Sequence, residues 1–310
     1  MGLVVFDKPW PIRGAKKRLG QPMQQLVRPF RSVLYIPASK ERVLEKAMTL
    51  TADALIFDLE DAVSPDAKAG ARAIMRAALL NGNFGARYKI VRINGFDTPW
   101  GRDDVDALSG VGADAILLPK VNTPRDIDNI GALIDKDMPI WAMMETAQGV
   151  LNAAQIAAHP RLQGIVAGTN DLIHELGCSV ENARFALQTS LQLIILAARA
   201  HGVVAIDGVY NRFKDEAGLR AECQQGLALS FDGKSLIHPA QLDVANDVFA
   251  PSEAAISLAQ RQIAAYDDII RAGQGVAVVD GKIVENLHAD TARRVLRKAQ
   301  MIEELEATGS

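Results

Sequence analysis

Pro139-Ile-Trp-Ala-Met-Met-Glu-Thr146 is an apolar run that stops on a carboxylate. It is short, bounded by Pro139 and without helical period, so it reads as a strand buried on both faces, as in a parallel sheet. Glu145 then stands at the C-terminal end of that strand, where α/β folds concentrate their chemistry. By itself the position is ambiguous, because a Glu there serves equally as a helix cap or as the partner of a cation.

Seven more runs of the same kind surround it: Ser32–Ile36, Ala54–Phe57, Lys89–Ile93, Ala115–Leu118, Gly164–Ala167, Val203–Ile206 and Ser235–Ile237. Segments with helical spacing lie between them. Their starts are marked by Ser39 before Lys40-Glu-Arg-Val43, by Ser64-Pro65 with Asp66 in the first turn, and by Asn122-Thr-Pro124. Asn182 to Ala200 carries a clear 3.6-residue period. Eight alternations predict an α/β fold, a closed (β/α)8 TIM barrel, over an open doubly wound sheet. No Gly-x-Gly-x-x-Gly follows the first run, which disfavours a dinucleotide-binding fold.

Past residue 250 the pattern changes. Pro251 to Ala272 reads as a helix, Ala277–Val284 as a hairpin turning at Asp280-Gly281, and His288 to Ala307 as a last charged helix. The expected organisation is a basic arm over 1–30, a barrel over 31–250 and a C-terminal helix–hairpin–helix extension over 251–310. That extension is a lid over the strand ends, an oligomerisation element, or both.

Composition narrows the partners. Apolar residues are 49% and charged ones 23%, as in soluble globular proteins. A net charge of −3 gives no reason to expect nucleic acid or membrane as a partner. Cys178 and Cys223 form no disulfide framework and have no zinc spacing, so a reduced, cytoplasmic setting is the default. The first 31 residues hold seven Lys/Arg against one acid, Asp7, but Pro9 and Pro11 interrupt the amphipathic helix a presequence would need. The arm is read as flexible or as embracing a neighbouring subunit.

The residues that follow each run carry the chemistry. They are Pro37-Ala-Ser39, Asp58-Leu-Glu60-Asp61, Arg92 with Asn94, Pro119-Lys120, Glu145, Gly168-Thr-Asn-Asp171, Asp207-Gly208 and His238-Pro239. Acids follow four of the eight runs. So many carboxylates at one barrel mouth repel unless a cation sits among them, and Asp/Glu oxygens with water are the ligands Mg2+ prefers. Glu145 and Asp171, on neighbouring strands, are the leading ligand candidates. Arg92 is a fixed positive charge beside them, suited to a carboxylate or an enolate oxygen. Metal-assisted chemistry on an oxo- or hydroxy-acid follows. Asp58 and Asp61 either cap helices or pair with arginines; Lys120 reads as a solvated loop residue; His238 reads equally as a satisfied structural histidine or as a ligand, and His174 as structural.

At this point the chain resembles the citrate lyase β subunit-like family of the HpcH/HpaI aldolase superfamily, with the malyl-CoA and citramalyl-CoA lyases. The resemblance rests on Arg31-Ser-Val-Leu-Tyr-Ile-Pro37, Asp58-Leu-Glu-Asp-Ala-Val63, Val91-Arg-Ile-Asn94, Met144-Glu-Thr146, Asn170-Asp-Leu172, Asp207-Gly208 and Phe231-Asp-Gly-Lys-Ser-Leu-Ile-His-Pro239. It implies a TIM barrel assembled as trimers or hexamers, with Mg2+ on Glu145 and Asp171 and Arg92 steadying a thioester enolate. It also implies that Glu60 and Asp61 order the metal's waters, that Arg31 contacts coenzyme A, and that the hairpin of a neighbouring subunit brings a carboxylate for proton transfer. Two departures stand out: Asn170 replaces a family carboxylate, and the hairpin carboxylate is Glu285 instead of Asp.

The expected activity is therefore Mg2+-dependent C–C cleavage of a 3-hydroxy-3-carboxylic acyl-CoA (citramalyl-, malyl- or citryl-CoA) to acetyl-CoA and an oxo-acid. The alternatives are a malyl-CoA-type thioesterase, and a citrate lyase β subunit acting on an acyl-carrier-protein thioester. A non-catalytic scaffold would have no need of Glu145, Asp171 and Arg92 together.

Overall fold

The computed structural model describes residues 28–179, 181, 183–272 and 276–309. Most of the basic arm, residues 1–27, lies outside that description. All eight runs are strands: β1 (Ser32–Pro37), β2 (Ala54–Asp58), β3 (Tyr88–Arg92), β4 (Ala115–Leu118), β5 (Ile140–Met144), β6 (Leu162–Ala167), β7 (Val204–Asp207) and β8 (Gly233–Leu236). Each pairs in parallel with the next, and β8 returns to β1, closing the barrel.

The helices between them are α1 (Glu41–Ala47), α2 (Lys68–Asn81), α3 (Gly101–Asp106), α4 (Pro124–Gly131), α5 (Ala147–Leu151), α6 (Ala153–Ala157), α7 (Thr169–Leu176), α8 (Ala183–Ala186), α9 (Gln188–His201), α10 (Glu216–Ala228) and α11 (Leu242–Phe249). Thr123 starts α4 with a full capping box closed by Asp126. Ser39 does not cap α1, which begins after Lys40 without a side-chain cap. Ser64 makes no cap bond either; Pro65–Ala67 form a short 3-10 turn ahead of α2. The single helix expected over 182–200 is split between α8 and α9, and α8 aims Arg184 at Asp207, 2.8 Å away.

Two apolar layers hold this together. Leu34, Phe57, Val91, Ile165 and Ala205 face outward from the strands and are sealed by helix residues such as Leu44, Met75, Ile127 and Ile194. Val33, Ile56, Ile90, Leu117, Met143, Val166 and Ile206 face inward, above a floor of Phe30, Tyr88 and Trp141. The Phe30 ring meets Trp141 and Tyr88 edge-on at 5.1 and 5.4 Å. The lumen is thus a packed plug at its N-terminal end.

Beyond the barrel come α12 (Glu253–Arg271), β9 (Ala277–Val279), β10 (Lys282–Val284) and α13 (Asn286–Gly309). Ser252 caps α12. The hairpin turns at Asp280 and Gly281, both with positive φ, as a two-residue loop demands. It packs on α12 and α13, which pack on each other. Among the described residues no helix is long and apolar enough to cross a membrane.

Candidate active site

Strand periodicity assembles the site. Side chains alternate between the two faces of a strand, so inward residues two apart climb the same wall. Tyr35 and Pro37, Asp58, Arg92, Met143 and Glu145, Gly168, and Ser235 and Ile237 all continue the inward sets toward the C-terminal ends. They line one cavity of about 310 Å3, joined by Asp61 and Val209 from loops and by Asn170 and Asp171 from the start of α7. That volume suits a small acyl group and its reacting atoms.

Arg92 is the centre of one half. Asp58 accepts from its Nε at 2.8 Å and its Nη2 at 2.6 Å, a bidentate pair buried on both sides. The Tyr35 ring lies under the guanidinium, 4.8 Å from its carbon. Asp58 also accepts from the backbone N–H groups of Glu60 and Ala62, so one carboxylate does both jobs the sequence left open: it pairs with an arginine and caps the loop. Glu60 Oε2 sits 2.9 Å from Arg92 Nη1 but without hydrogen-bond alignment, and this buried oxygen has no other partner. Lys68 fixes the loop from behind, donating to the Leu59 and Glu60 carbonyls and to Asn94 Oδ1.

Glu145 and Asp171 form the other half, on the mouth-facing ends of the paired strands β5 and β6 and the first turn of α7. Glu145 is 2% exposed, and Oε1 accepts the Lys120 backbone N–H at 2.7 Å. Lys120 reaches this geometry with a φ of 49°. Its Nζ lies 3.8 Å from Glu60, across the carboxylates. Gly168 is required by closeness, since a Cβ there would stand 2.3 Å from the Glu145 Cβ and 2.6 Å from its Oε2. Burial pushes the Glu145 carboxyl up to about 8, with Glu60 and Asp171 adding to the effect. Burial likewise lifts Glu60 to about 7, reinforced by Asp61 and Asp58 against the pull of Arg92.

These acids are short of positive charge. Among the described residues no group of three or more His, Cys, Asp or Glu side chains is placed to hold a metal ion by itself. An open pair of carboxylates, a third orphaned carboxylate oxygen and adjoining space fit Mg2+, which keeps waters and takes few protein ligands. Glu145 and Asp171 would hold it, with Glu60 facing its waters.

The structure brings Glu60, Asp61, Arg92, Glu145 and Asp171 together. It places Arg31 elsewhere. Arg31 precedes β1, at the N-terminal end of the barrel, where Asp53 takes its backbone N–H, Nε and Nη2 and Glu306 takes Nη1. It does not line the mouth cavity, and in this chain it ties α13 to the barrel floor through Glu306. Glu285 closes the hairpin, is exposed, and does not line the mouth of its own chain. His238 accepts the Ala240 N–H as a cap, the structural one of the two roles the sequence leaves open. Tyr35, Lys68 and the Lys120 backbone were missed. Tyr35 was findable from its inward parity on β1; a backbone N–H carries no side-chain signal.

The chain is a closed (β/α)8 TIM barrel whose strand ends gather an anchored arginine and an open carboxylate pair. The chain belongs to the HpcH/HpaI aldolase/citrate lyase family, whose profile matches residues 31–239. It is 60% identical over 286 residues to a (3S)-malyl-CoA thioesterase of Cereibacter sphaeroides, covering 92% of this chain and 100% of that one. It is 34% identical over 305 residues to an L-malyl-CoA/beta-methylmalyl-CoA lyase of the same organism, covering 89% and 96%. Among solved structures it is similar to the protein CitE from Mycobacterium tuberculosis in complex with magnesium, acetoacetate and coenzyme A. That likeness has a TM-score of 0.75 at 31% identity, covering 89% of this chain and all of the other.

Proposed function

We propose that this protein is a Mg2+-dependent thioesterase that hydrolyses (3S)-malyl-CoA or a close 3-hydroxy-3-carboxylic acyl-CoA. The observation that carries the reading is the gap between 60% identity to a thioesterase and 34% to a lyase, each along almost the whole chain. From the residues alone C–C cleavage is the leading expectation, because both reactions use one constellation; the relatives tip the balance to hydrolysis.

The geometry supports the chemistry. Glu145 and Asp171 would hold Mg2+, which would supply Lewis-acid stabilisation of charge on the acyl group. Arg92, held in one direction by Asp58 and Tyr35, is placed to bear the charge that develops on the thioester oxygen. Glu60, buried beside Arg92 and lifted to about 7, is placed to take a proton from water. The water oxygen bonds to the carbonyl carbon, the C–S bond breaks, and the proton passes to sulfur, releasing malate and free coenzyme A.

Lyase activity is the second reading, favoured by the 34% identity to an L-malyl-CoA/beta-methylmalyl-CoA lyase along almost the whole chain. In that reaction the C2–C3 bond breaks and Arg92 faces an enolate oxygen. Assembly as a trimer or hexamer, with Glu285 reaching a neighbour's mouth, belongs to this proposal. The test is thiol release from malyl-CoA by the wild-type protein and by Glu145→Gln and Asp171→Asn, with and without EDTA. Loss of turnover in both variants and in EDTA is expected. Full Mg2+-dependent activity in either variant would overturn the ligand assignment.

A further inference from the structure

Behind the β7–β8 wall lies an ion cluster that the chemistry above does not use. Lys234 is fully buried on the outward face of β8. Its Nζ donates to Glu222 at 2.8 Å, to Asp207 at 3.2 Å and to the Gly208 carbonyl at 2.6 Å. Arg184 binds both Asp207 oxygens at 2.8 Å. Arg184, Lys234, Asp207 and Glu222 make a balanced set of two cations and two anions. Burial alone would raise the Asp207 carboxyl, but Lys234 and Arg184 reverse this and hold it below the usual carboxylate range.

The cluster grips a short backbone segment. Asp207 Oδ1 accepts the Gly208 N–H at 2.8 Å while Lys234 donates to the Gly208 carbonyl, so the peptide groups on both sides of Gly208 are held. Gly208 in turn abuts the loop that carries Asp171: a Cβ on it would lie 2.4 Å from Thr169 Oγ1 and 2.9 Å from the Ala167 carbonyl. The next residue, Val209, lines the mouth. Three residues past Gly208, Asn211 donates to Asn170 Oδ1 at 2.8 Å, a second tie to the residue before Asp171.

We infer that Lys234 is a positioning residue: through Gly208 and the Asn211–Asn170 pair it sets where the Thr169–Asp171 turn stands, and so the metal-binding geometry of the mouth. This rests on the reading of Glu145 and Asp171 as the Mg2+ ligands. A merely structural lysine would affect melting alone. A positioning lysine also affects cation affinity.

The charge-balanced double variant Lys234→Met/Glu222→Gln separates the two, because it keeps the Arg184–Asp207 pair and removes the tie to Gly208. Mn2+ and Mg2+ binding is measured by titration calorimetry, beside melting temperature and the KM and kcat for malyl-CoA. The double variant is expected to melt near the wild type yet to bind the cations about 10-fold or more weakly, the range seen when groups that orient ligands are removed. Asn211→Ala, at an exposed position that leaves the core intact, is expected to weaken binding in the same direction, by less. Wild-type cation affinity in both variants would overturn the inference. If the double variant fails to fold, Asn211→Ala alone decides. If the wild-type protein itself binds neither cation, the ligand reading fails first, and the two failures are told apart.

Discussion

Arg92 owes its direction to a fork, not to its charge. Its Nε and Nη2 each meet one oxygen of Asp58, both buried, and only the remaining nitrogen is left for the mouth. Lysine keeps the charge but cannot span both oxygens. Arg92→Lys is expected to lower turnover about 100-fold or more, the scale for losing one preorganised donor, with KM moving less; steady-state kinetics read this directly. Glu145 gives a second test. Its folded-state carboxyl is lifted to about 8 from an ordinary 4.5, so without metal the folded chain holds a proton that the unfolded chain has released. Stability from that group is present at low pH and lost as pH rises through about 8. Melting temperature in EDTA is expected to fall between about pH 5 and about pH 9. Mg2+ should restore it at the alkaline end, where the ligand is ionised, and Glu145→Gln should flatten the profile. A rising profile in EDTA would contradict the placement of Glu145. At this scale much was legible: Glu145, Arg92 and Asp171 follow from counting residues past each apolar run. The strand order places Arg31 at the N-terminal end of β1, and its contact with coenzyme A rests on the resemblance alone.

Helix α5 starts on the residue after next from Glu145, and its cap is part of the site. Thr146 Oγ1 accepts the Gly149 N–H at 2.9 Å and donates to Asn122 Oδ1 at 2.5 Å, tying the β5 end to the loop after β4 that carries Lys120. Thr146→Ala is expected to cost about 1 kcal/mol of stability in urea unfolding, as for other lost caps. Its effect on Mg2+ affinity should exceed that of an Ala substitution at Thr49, an exposed threonine remote from the mouth. The elements themselves were largely readable, because eight short apolar runs leave few arrangements other than a closed parallel barrel. Their starts were less so. Ser39 and Ser64 have cap-forming side chains, but a cap needs the hydroxyl aimed at a free N–H, and local sequence does not set that angle. The split at Leu187 was invisible for a different reason: α8 turns so that Arg184 meets Asp207, a partner 23 residues further on.

The barrel and its C-terminal extension meet through α13, whose Glu306 pairs with Arg31 on the barrel floor. The hairpin, by contrast, packs on α12 and α13 and presents Val278 at 67% and Ile283 at 58% exposure. An exposed apolar hairpin carrying Glu285 suits contact with a second copy. The expected outcome of analytical ultracentrifugation is a species larger than the monomer, shifted toward monomer in Val278→Asp/Ile283→Asp; a monomeric wild type at micromolar concentration would remove the oligomer from the account. What the whole molecule does was legible only to the level of its family, not of its reaction. Carboxylates, an arginine and a small cavity serve hydrolysis and C–C cleavage alike, since both develop charge on the same thioester oxygen. The deciding measurement is product stoichiometry: purified protein with Mg2+ and (3S)-malyl-CoA, free thiol and glyoxylate followed in one reaction. The account predicts one thiol and one malate per malyl-CoA consumed, with no glyoxylate. Glyoxylate formed in step with acetyl-CoA, without free thiol, would contradict it and assign the mouth to a lyase.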